Sequence, residues 1–429
     1  MIIEKSGVNV ALGRDEKASL LKAALDRLGK RLRRVLIIPP DITRFNSNAG
    51  ELTAILYSML SPSSQVDIIP ALGTHEPMTV EEIRTMFGRD IPIERFKVHD
   101  WRRDLVHVGD IPAEEILALS EGRLDYSVRV EVNRILFDGY DLILSVGQVV
   151  PHEVSGMANY TKNILTGVGG QDTINKSHFL GAVYGMERIM GRIDTPVRRL
   201  FNMAAEEFLS ELPIVYALTV VSKDTASGRM ALRGLFIGDD EETFVSAARL
   251  SQKVNLDLLD RPLRKVVVYL DPREFKSTWL GNKAIYRTRM AIADGGELIV
   301  LAPGLREFGE DAEIDRLIRK YGYCGTPATL TAVNENEDLR ANLSAAAHLI
   351  HGSSEGRFQI TYCPGPGMTH REIASVGFAA ANLDTMMQRY DPNRLRDGMN
   401  TLGDGEEVFF IRNPALGLWA LERQFAASQ

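Results

Sequence analysis

Cysteine is nearly absent from this chain: Cys324 and Cys363 are the only two in 429 residues. Two thiols cannot build a disulfide framework at this length, so the composition predicts an intracellular, reducing compartment. Long apolar runs are missing as well. None approaches the ~20 residues a helix needs to cross a bilayer. Residues 1–14 have no basic stretch followed by an apolar core, so no secretory signal is expected. Nor is there an excess of positive charge: 50 Lys and Arg stand against 57 Asp and Glu, for a net charge of −7. That balance favours solubility and argues against a dedicated nucleic-acid surface. The chain reads as cytoplasmic and soluble, with neither nucleic acid nor membrane as a partner.

What is present is the composition of a globular enzyme, 45% hydrophobic and 25% charged. The length exceeds what one compact core holds, so two domains are expected. Short apolar runs end repeatedly in Gly, Pro, Asp or His: Val35-Leu36-Ile37-Ile38 before Pro39-Pro40-Asp41, Val66-Asp67-Ile68-Ile69 before Pro70, and Leu142-Ile143-Leu144-Ser145-Val146 before Gly147. Between them, 49–60 and 80–87 have helical character. Continuous apolar strands alternating with helices predict an α/β fold. A second series starts after Pro262, with strands at 265–270, 297–303 and 358–362 and a helix over 283–293 stopped by Asp294-Gly295-Gly296. The fold class is therefore α/β in two domains, each a mixed or parallel sheet flanked by helices, with the active site in the interdomain cleft. The boundaries are 1–260 for the catalytic and cofactor-binding domain and 261–401 for the domain that closes the cleft. The tail, about 402–429, is free to pack on the first domain.

Ligands of such sheets bind outside the carboxyl ends of the strands, and Asp41, Arg44, His75 and His152 all follow strand ends. Asp41-Ile42-Thr43-Arg44 leads into a helix whose free N–H groups, with Thr43, Asn46 and Ser47, suit an anion. Arg44 suits a carboxylate or phosphate. Helix capping by Asp and Ser explains the same residues. His75, in Gly73-Thr74-His75, is either a general base or a loop histidine satisfied by backbone. His152, Lys162 and His178 stand 10 and 16 residues apart among glycine and small polar residues. They offer a base, a nucleophilic amine and a metal ligand in one region. A zinc site made by protein alone needs three or four ligands, and His75, His152 and His178 form one only if the fold converges them. A metal carried in an organic cofactor needs a single histidine. Gly167-Val168-Gly169-Gly170 offers a phosphate cradle or plain turn material, and matches neither dinucleotide nor Walker spacing. His99, His107, His348 and His351 read as structural or solvated; His370 follows a strand and carries little catalytic weight.

Asp41-x-Thr43-Arg44, Gly73-Thr74-His75, Pro151-His152, Lys162 and His178 resemble, in identity, order and spacing, the nickel-pincer lactate racemase family. The resemblance covers most of the first domain and extends to the segment before Asp294-Gly295-Gly296. It implies that Lys162 carries the pyridinium-derived nickel-pincer mononucleotide through a thioamide, and that His178 ligates the nickel. It implies His75 and His152 as paired acid/base residues, and Asp41, Ile42, Thr43 and Arg44 as cofactor contacts. Arg44 would also meet the substrate carboxylate, together with Lys283. The family's glutamine three residues before that lysine falls on Leu280 here. Cofactor biosynthesis proteins are the implied partners, and a small hydroxy acid the substrate.

The implied chemistry inverts C2 of a 2-hydroxy acid. Removing the C–H hydrogen as hydride avoids a dianionic carbanion, while each histidine contributes roughly 10²–10⁴-fold as acid or base. The run Ser155-Gly156-Met157-Ala158-Asn159-Tyr160-Thr161-Lys162-Asn163 departs from the run that lactate racemases carry and resembles the sugar-acid branch, which epimerises D-gluconate and D-mannonate. In that reading Asn159, Tyr160, Thr161 and Asn163 face extra substrate hydroxyls; in the plainer one they repack the cofactor loop. The alternatives are a racemase of lactate or another small 2-hydroxy acid, a conventional His-metal hydrolase, and a non-catalytic binder.

Overall fold

The apolar runs become the strands of two six-stranded sheets in the computed structural model, which describes residues 1–29, 31–224 and 228–427. In the first sheet these are β1 (Ile3–Ser6), β2 (Arg34–Ile38), β3 (Gln65–Ile68), β4 (Leu142–Gln148), β5 (Ile214–Lys223) and β6 (Met230–Gly238). Their spatial order is β1-β6-β5-β4-β2-β3. The four strands β5-β4-β2-β3 are parallel, and β6 and β1 extend the sheet antiparallel. Val35, Leu36, Ile37 and Ile38 are fully buried, as strands covered on both faces require. Helices Ala49–Leu60 and Val80–Phe87 lie at the expected positions.

The second sheet contains β7 (Leu263–Tyr269), β8 (Ile292–Ala302), β9 (Gln359–Pro364), β10 (Ala379–Ala380), β11 (Gly398–Thr401) and β12 (Glu407–Ile411), ordered β10-β9-β8-β7-β12-β11. All neighbours are parallel except β11 with β12. The chain divides into a unit of residues 1–180 and 189–255 and a unit of residues 181–188 and 256–429.

The tail from about residue 402 belongs to the second unit: β12 hydrogen-bonds β7 inside the second sheet, and Trp419–Leu421 pairs in parallel with Asp257–Leu259. One expectation is corrected. The helix expected over 283–293 ends at Tyr286, and Asp294-Gly295-Gly296 lies inside β8 rather than terminating a helix. Register explains the difference. The pairing of β7 with β8 slips between Leu263 and Lys265, and Gly295 (φ 72°) takes up the irregularity.

Candidate functional site

β4, β2 and β3 are adjacent and parallel, so their carboxyl ends open on one side of the sheet. Asp41 follows β2, His75 follows β3 and His152 follows β4. A parallel bridge between Pro40 and Ala71 keeps the first two loops together beyond the strands. Asp41 caps a short 3-10 turn, Ile42–Ser47, accepting from the Thr43 N–H at 3.1 Å and from the Thr43 hydroxyl. The helix expected over 49–60 begins after this turn at Ala49, past Asn48 at φ 64°. The other carboxylate oxygen of Asp41 stands 2.7 Å from His75 Nδ1. Burial pushes Asp41 up, but the His75 and Thr43 hydrogen bonds outweigh it and hold the carboxyl below its ordinary value. Asp41 is thus the partner of His75 as well as a cap. With Nδ1–H given to Asp41, the neutral ring leaves its lone pair on Nε2, as a general base needs.

His152 lies in the two-residue strand Pro151–His152, paired with Gly156–Met157. Its Nδ1 accepts from the Val154 N–H at 3.1 Å, so the neutral ring carries its hydrogen on Nε2. Burial holds its pKa well below the usual histidine value, reinforced by Lys162, Arg44 and His178 and opposed by Glu153. Lys162 is on the short helix Thr161–Leu165. That helix is tied to the sheet by Asn163, whose Nδ2 donates to Ile38 O at 3.1 Å and to Ser145 Oγ at 3.0 Å. Burial, then the charge of Arg44, brings the Lys162 amine down to about 8, and its Nζ lies 3.4 Å from Thr166 Oγ1. His178, on helix Gln171–Tyr184, donates Nδ1–H to Ile174 O at 2.6 Å. Burial and Lys162 lower it to about 4. It therefore stays neutral with a lone pair on Nε2, the state in which imidazole binds a metal.

The structure thus gathers His152, Lys162 and His178, with Arg44 and Glu153 in electrostatic reach, and places the His75–Asp41 pair at the adjoining strand end. Ile42 is half-buried in the same turn, and Arg44 is exposed. Lys283 belongs to the second unit, at the first position of helix Lys283–Tyr286, with Leu280 one turn earlier. Sequence reasoning missed Glu153, although it abuts His152, and Thr166, one helical turn after Lys162.

Three readings change. The run Gly167-Val168-Gly169-Gly170 is a packing device, not a phosphate cradle. A Cβ on Gly167 would meet Asn163 O at 2.3 Å, and one on Gly169 would meet Leu165 O at 1.9 Å. Gly73 N–H donates to Gly167 O at 2.8 Å, joining the His75 loop to the Lys162 helix. The polar residues around Lys162 are also committed to the protein. Thr161 bonds Asn202 and Arg198, Asn163 bonds the sheet, the Asn159 side chain accepts from Tyr160 N–H, and the Tyr160 ring packs against Tyr216 and Phe244. Their observed contacts are with the protein itself. Finally, among the described residues no three His, Cys, Asp or Glu side chains form a group able to hold a metal, so His75, His152 and His178 do not make a protein-only site. One neutral imidazole beside a low-pKa amine fits a metal carried in an organic frame instead. Of the other histidines, buried His99 bonds Gly169 O at 3.1 Å and Asn133, and buried His348 bonds the Tyr323 hydroxyl at 3.0 Å. His351 is buried, His107 pairs with Asp110, and His370 is exposed at the start of a helix.

The chain is similar to known proteins in sequence over part of its length and in fold over nearly all of it. Residues 17–189 match the family model of the lactate racemase N-terminal domain. The chain is 28% identical over 159 residues to a lactate racemase of Thermoanaerobacterium thermosaccharolyticum, a match covering 36% of this chain and 34% of that protein. It is 26% identical over 157 residues to a lactate racemase of Lactiplantibacillus plantarum, with the same coverage. The chain thus spans about a third of the length of these relatives. In fold, a crystal structure of a protein from Thermotoga maritima superposes with a TM-score of 0.80 at 23% identity, over 97% of this chain and 100% of that one. The lactate racemase apoprotein of Thermoanaerobacterium thermosaccharolyticum superposes with a TM-score of 0.70 at 16% identity, over 97% and 94%. The chain is thus similar to the lactate racemase N-terminal domain over residues 17–189, and in fold to a lactate racemase apoprotein across nearly its whole length.

Proposed function

We propose that this chain is an isomerase that inverts C2 of a 2-hydroxy acid, using a nickel-pincer nucleotide attached at Lys162 and ligated by His178. The observation that carries the reading is a lysine amine at about 8 beside a half-buried neutral histidine whose Nδ1–H is already spent on Ile174 O. An amine brought down to about 8 is neutral in an appreciable fraction near physiological pH and in that form is a nucleophile, and a histidine in that tautomer is a metal ligand. The bound group supplies a reversible acceptor for hydride. The chain's own residues handle the oxygen. His75 Nε2 removes the hydroxyl proton, and the Asp41 carboxylate stabilises the imidazolium that results. His152, with hydrogen on Nε2, donates to the same oxygen from a different strand end. Arg44 binds the carboxylate bidentately, with Lys283 as a second cation for the substrate. Assembly of the pincer group is the task of separate biosynthetic proteins, the partners this reading requires.

Within the class, aldonates such as D-gluconate and D-mannonate are the proposed substrates. Support comes from Leu280 standing where the family has a glutamine, since the residues around Lys162 are occupied by the fold. The test follows D-gluconate by proton NMR in heavy water with enzyme matured alongside the biosynthetic proteins. D-Mannonate with hydrogen retained at C2 is expected. Racemisation of lactate alone would move the substrate to small hydroxy acids. Full activity in Lys162→Ala would overturn the whole assignment.

A further inference from the structure

Beneath the segment that delivers Lys162 lies a guanidinium with almost no access to water. Arg198, on helix Pro196–Leu209, is 1% exposed. Burial lowers it to about 10, opposed by Tyr160, Tyr216 and Glu241. A buried cation needs compensation. Its donors are spent on one loop: Nη1 donates to Thr161 Oγ1 at 3.0 Å, and Nη2 to Met157 O at 2.7 Å and Asn159 O at 3.1 Å. Its guanidinium lies 4.2 Å from the Phe244 ring centre, while Nε is buried without a partner. The loop it grips is strained. Asn159 and Tyr160, neighbours and neither of them glycine, sit at φ 66° and 60°. Left-handed backbone persists at such residues only where the surroundings over-determine it. Two residues on stands Lys162, whose amine lies within electrostatic reach of Arg44, Glu153, Arg198, His152 and His178.

We propose that Arg198 is a positioning residue that clamps Met157, Asn159 and Thr161, holds Asn159 and Tyr160 in left-handed backbone, and so aims Lys162 at His152 and His178. This rests on the reading of Lys162 as the attachment point. The planar fork suits the task, since it spreads its donors in fixed directions over three separated acceptors, whereas the donors of an ammonium all sit on one compact nitrogen. Arg198→Lys therefore keeps the charge and loses the clamp, which separates positioning from simple electrostatics. Arg198→Met loses both. Thr161→Val removes one acceptor with little change of shape.

The experiment has two readouts on folded protein, each taken well below the variant's melting temperature. One is the fraction of chains carrying the adduct on Lys162, by intact mass after maturation with the biosynthetic proteins. The other is the pH profile of Lys162 acetylation by acetic anhydride in cofactor-free protein, mapped by peptide mass with surface lysines as reference. Wild type is expected to show a midpoint near pH 8 at Lys162. In Arg198→Lys the midpoint should move up by a pH unit or more, and the adduct should fall at least fivefold. Thr161→Val should show a smaller change in the same direction, and decides the matter if neither Arg198 variant folds. A folded Arg198→Lys protein with the wild-type labelling profile and full adduct would overturn the proposal. Absence of adduct in wild type would instead sink the attachment reading, and the labelling profile would still judge Arg198.

Discussion

At the scale of single residues, the protonation states of the site are set by which ring nitrogen each histidine has already committed. His75 gives Nδ1–H to Asp41 and His178 gives Nδ1–H to Ile174 O, while His152 accepts at Nδ1 from Val154. Asp41→Asn keeps the shape but replaces the anion that stabilises charged His75. Turnover should fall on the order of 10²–10⁴-fold, the usual worth of a general base, while the melting temperature stays within a few degrees. Lys162 gives a prediction of opposite sign for stability. Its ammonium is disfavoured by burial, so Lys162→Met should abolish activity yet raise stability at pH 7 by roughly 1–3 kcal/mol, read from urea midpoints. For His178 the folded pKa of about 4 lies below the ordinary 6.5. Between those values the unfolded chain binds more protons, so stability falls as pH drops from 6.5 towards 4, by up to about 1.4 kcal/mol per pH unit. Melting curves of cofactor-free protein across that window should be flatter for His178→Gln. An unchanged slope would assign the acid sensitivity to other groups.

At the scale of elements, the site depends on how closely the loop after β3 approaches the short Lys162 helix. Gly167 is where they meet: its carbonyl accepts from Gly73 N–H, and a Cβ there would press on Ala71 Cβ at 2.6 Å. Gly167→Ala should cost about 1–3 kcal/mol, as overpacking does, and should lower activity more than an equally destabilising change far from the site. The comparison is made at matched urea midpoints. Gly228, where a Cβ meets nothing within 4 Å, has φ 69° and is no clean control. Gly403, open and without that backbone demand, is the appropriate one. The Asn163 side chain performs a matching task for the helix, reaching Ile38 O at the end of β2 and Ser145 Oγ within β4. Both devices use the strand ends as the fixed reference against which Lys162 is placed.

At the scale of the molecule, the two units are not consecutive halves of the chain. Residues 181–188 count with the second unit although they precede the last part of the first. Glu187 in that stretch receives the side chain of Arg289 at 2.7 Å, and the Arg289 guanidinium is almost wholly buried. Burial raises Glu187, but Arg289 and Arg357 outweigh it and hold the carboxyl low. A fragment beginning at residue 256 would leave Arg289 without this partner. Glu187→Gln should accordingly destabilise the second unit by about 1–3 kcal/mol, less than a fully buried pair because Glu187 is partly exposed. Urea unfolding followed by the Trp279 and Trp419 fluorescence of that unit checks the value. No change would show that water satisfies Arg289.

The amino-acid order by itself determined the strands, because fully apolar runs such as 35–38 and 142–146 have few alternatives to a buried sheet, and their Pro, Gly and Asp ends fix where they stop. It also pointed to His75, His152, Lys162 and His178, since histidine is scarce here, His75 follows a strand end, and the other three stand among glycine and small polar residues. Only the tertiary structure decided their states. The lone pair on His178, the donor on His152 and the Asp41 partner of His75 depend on hydrogen bonds that local sequence does not encode in a readable way. The same holds for the differences. Asp294-Gly295-Gly296 reads as a helix stop locally but is absorbed by a register slip in β8, and the tail is drawn into the second sheet because β7 has a free edge for β12. Asn159, Tyr160, Thr161 and Asn163 look like ligand-binding groups in one dimension. In three, Arg198, the strand ends and the buried aromatic rings claim them first, because an unpaired polar group inside the fold costs more than a binding contact returns.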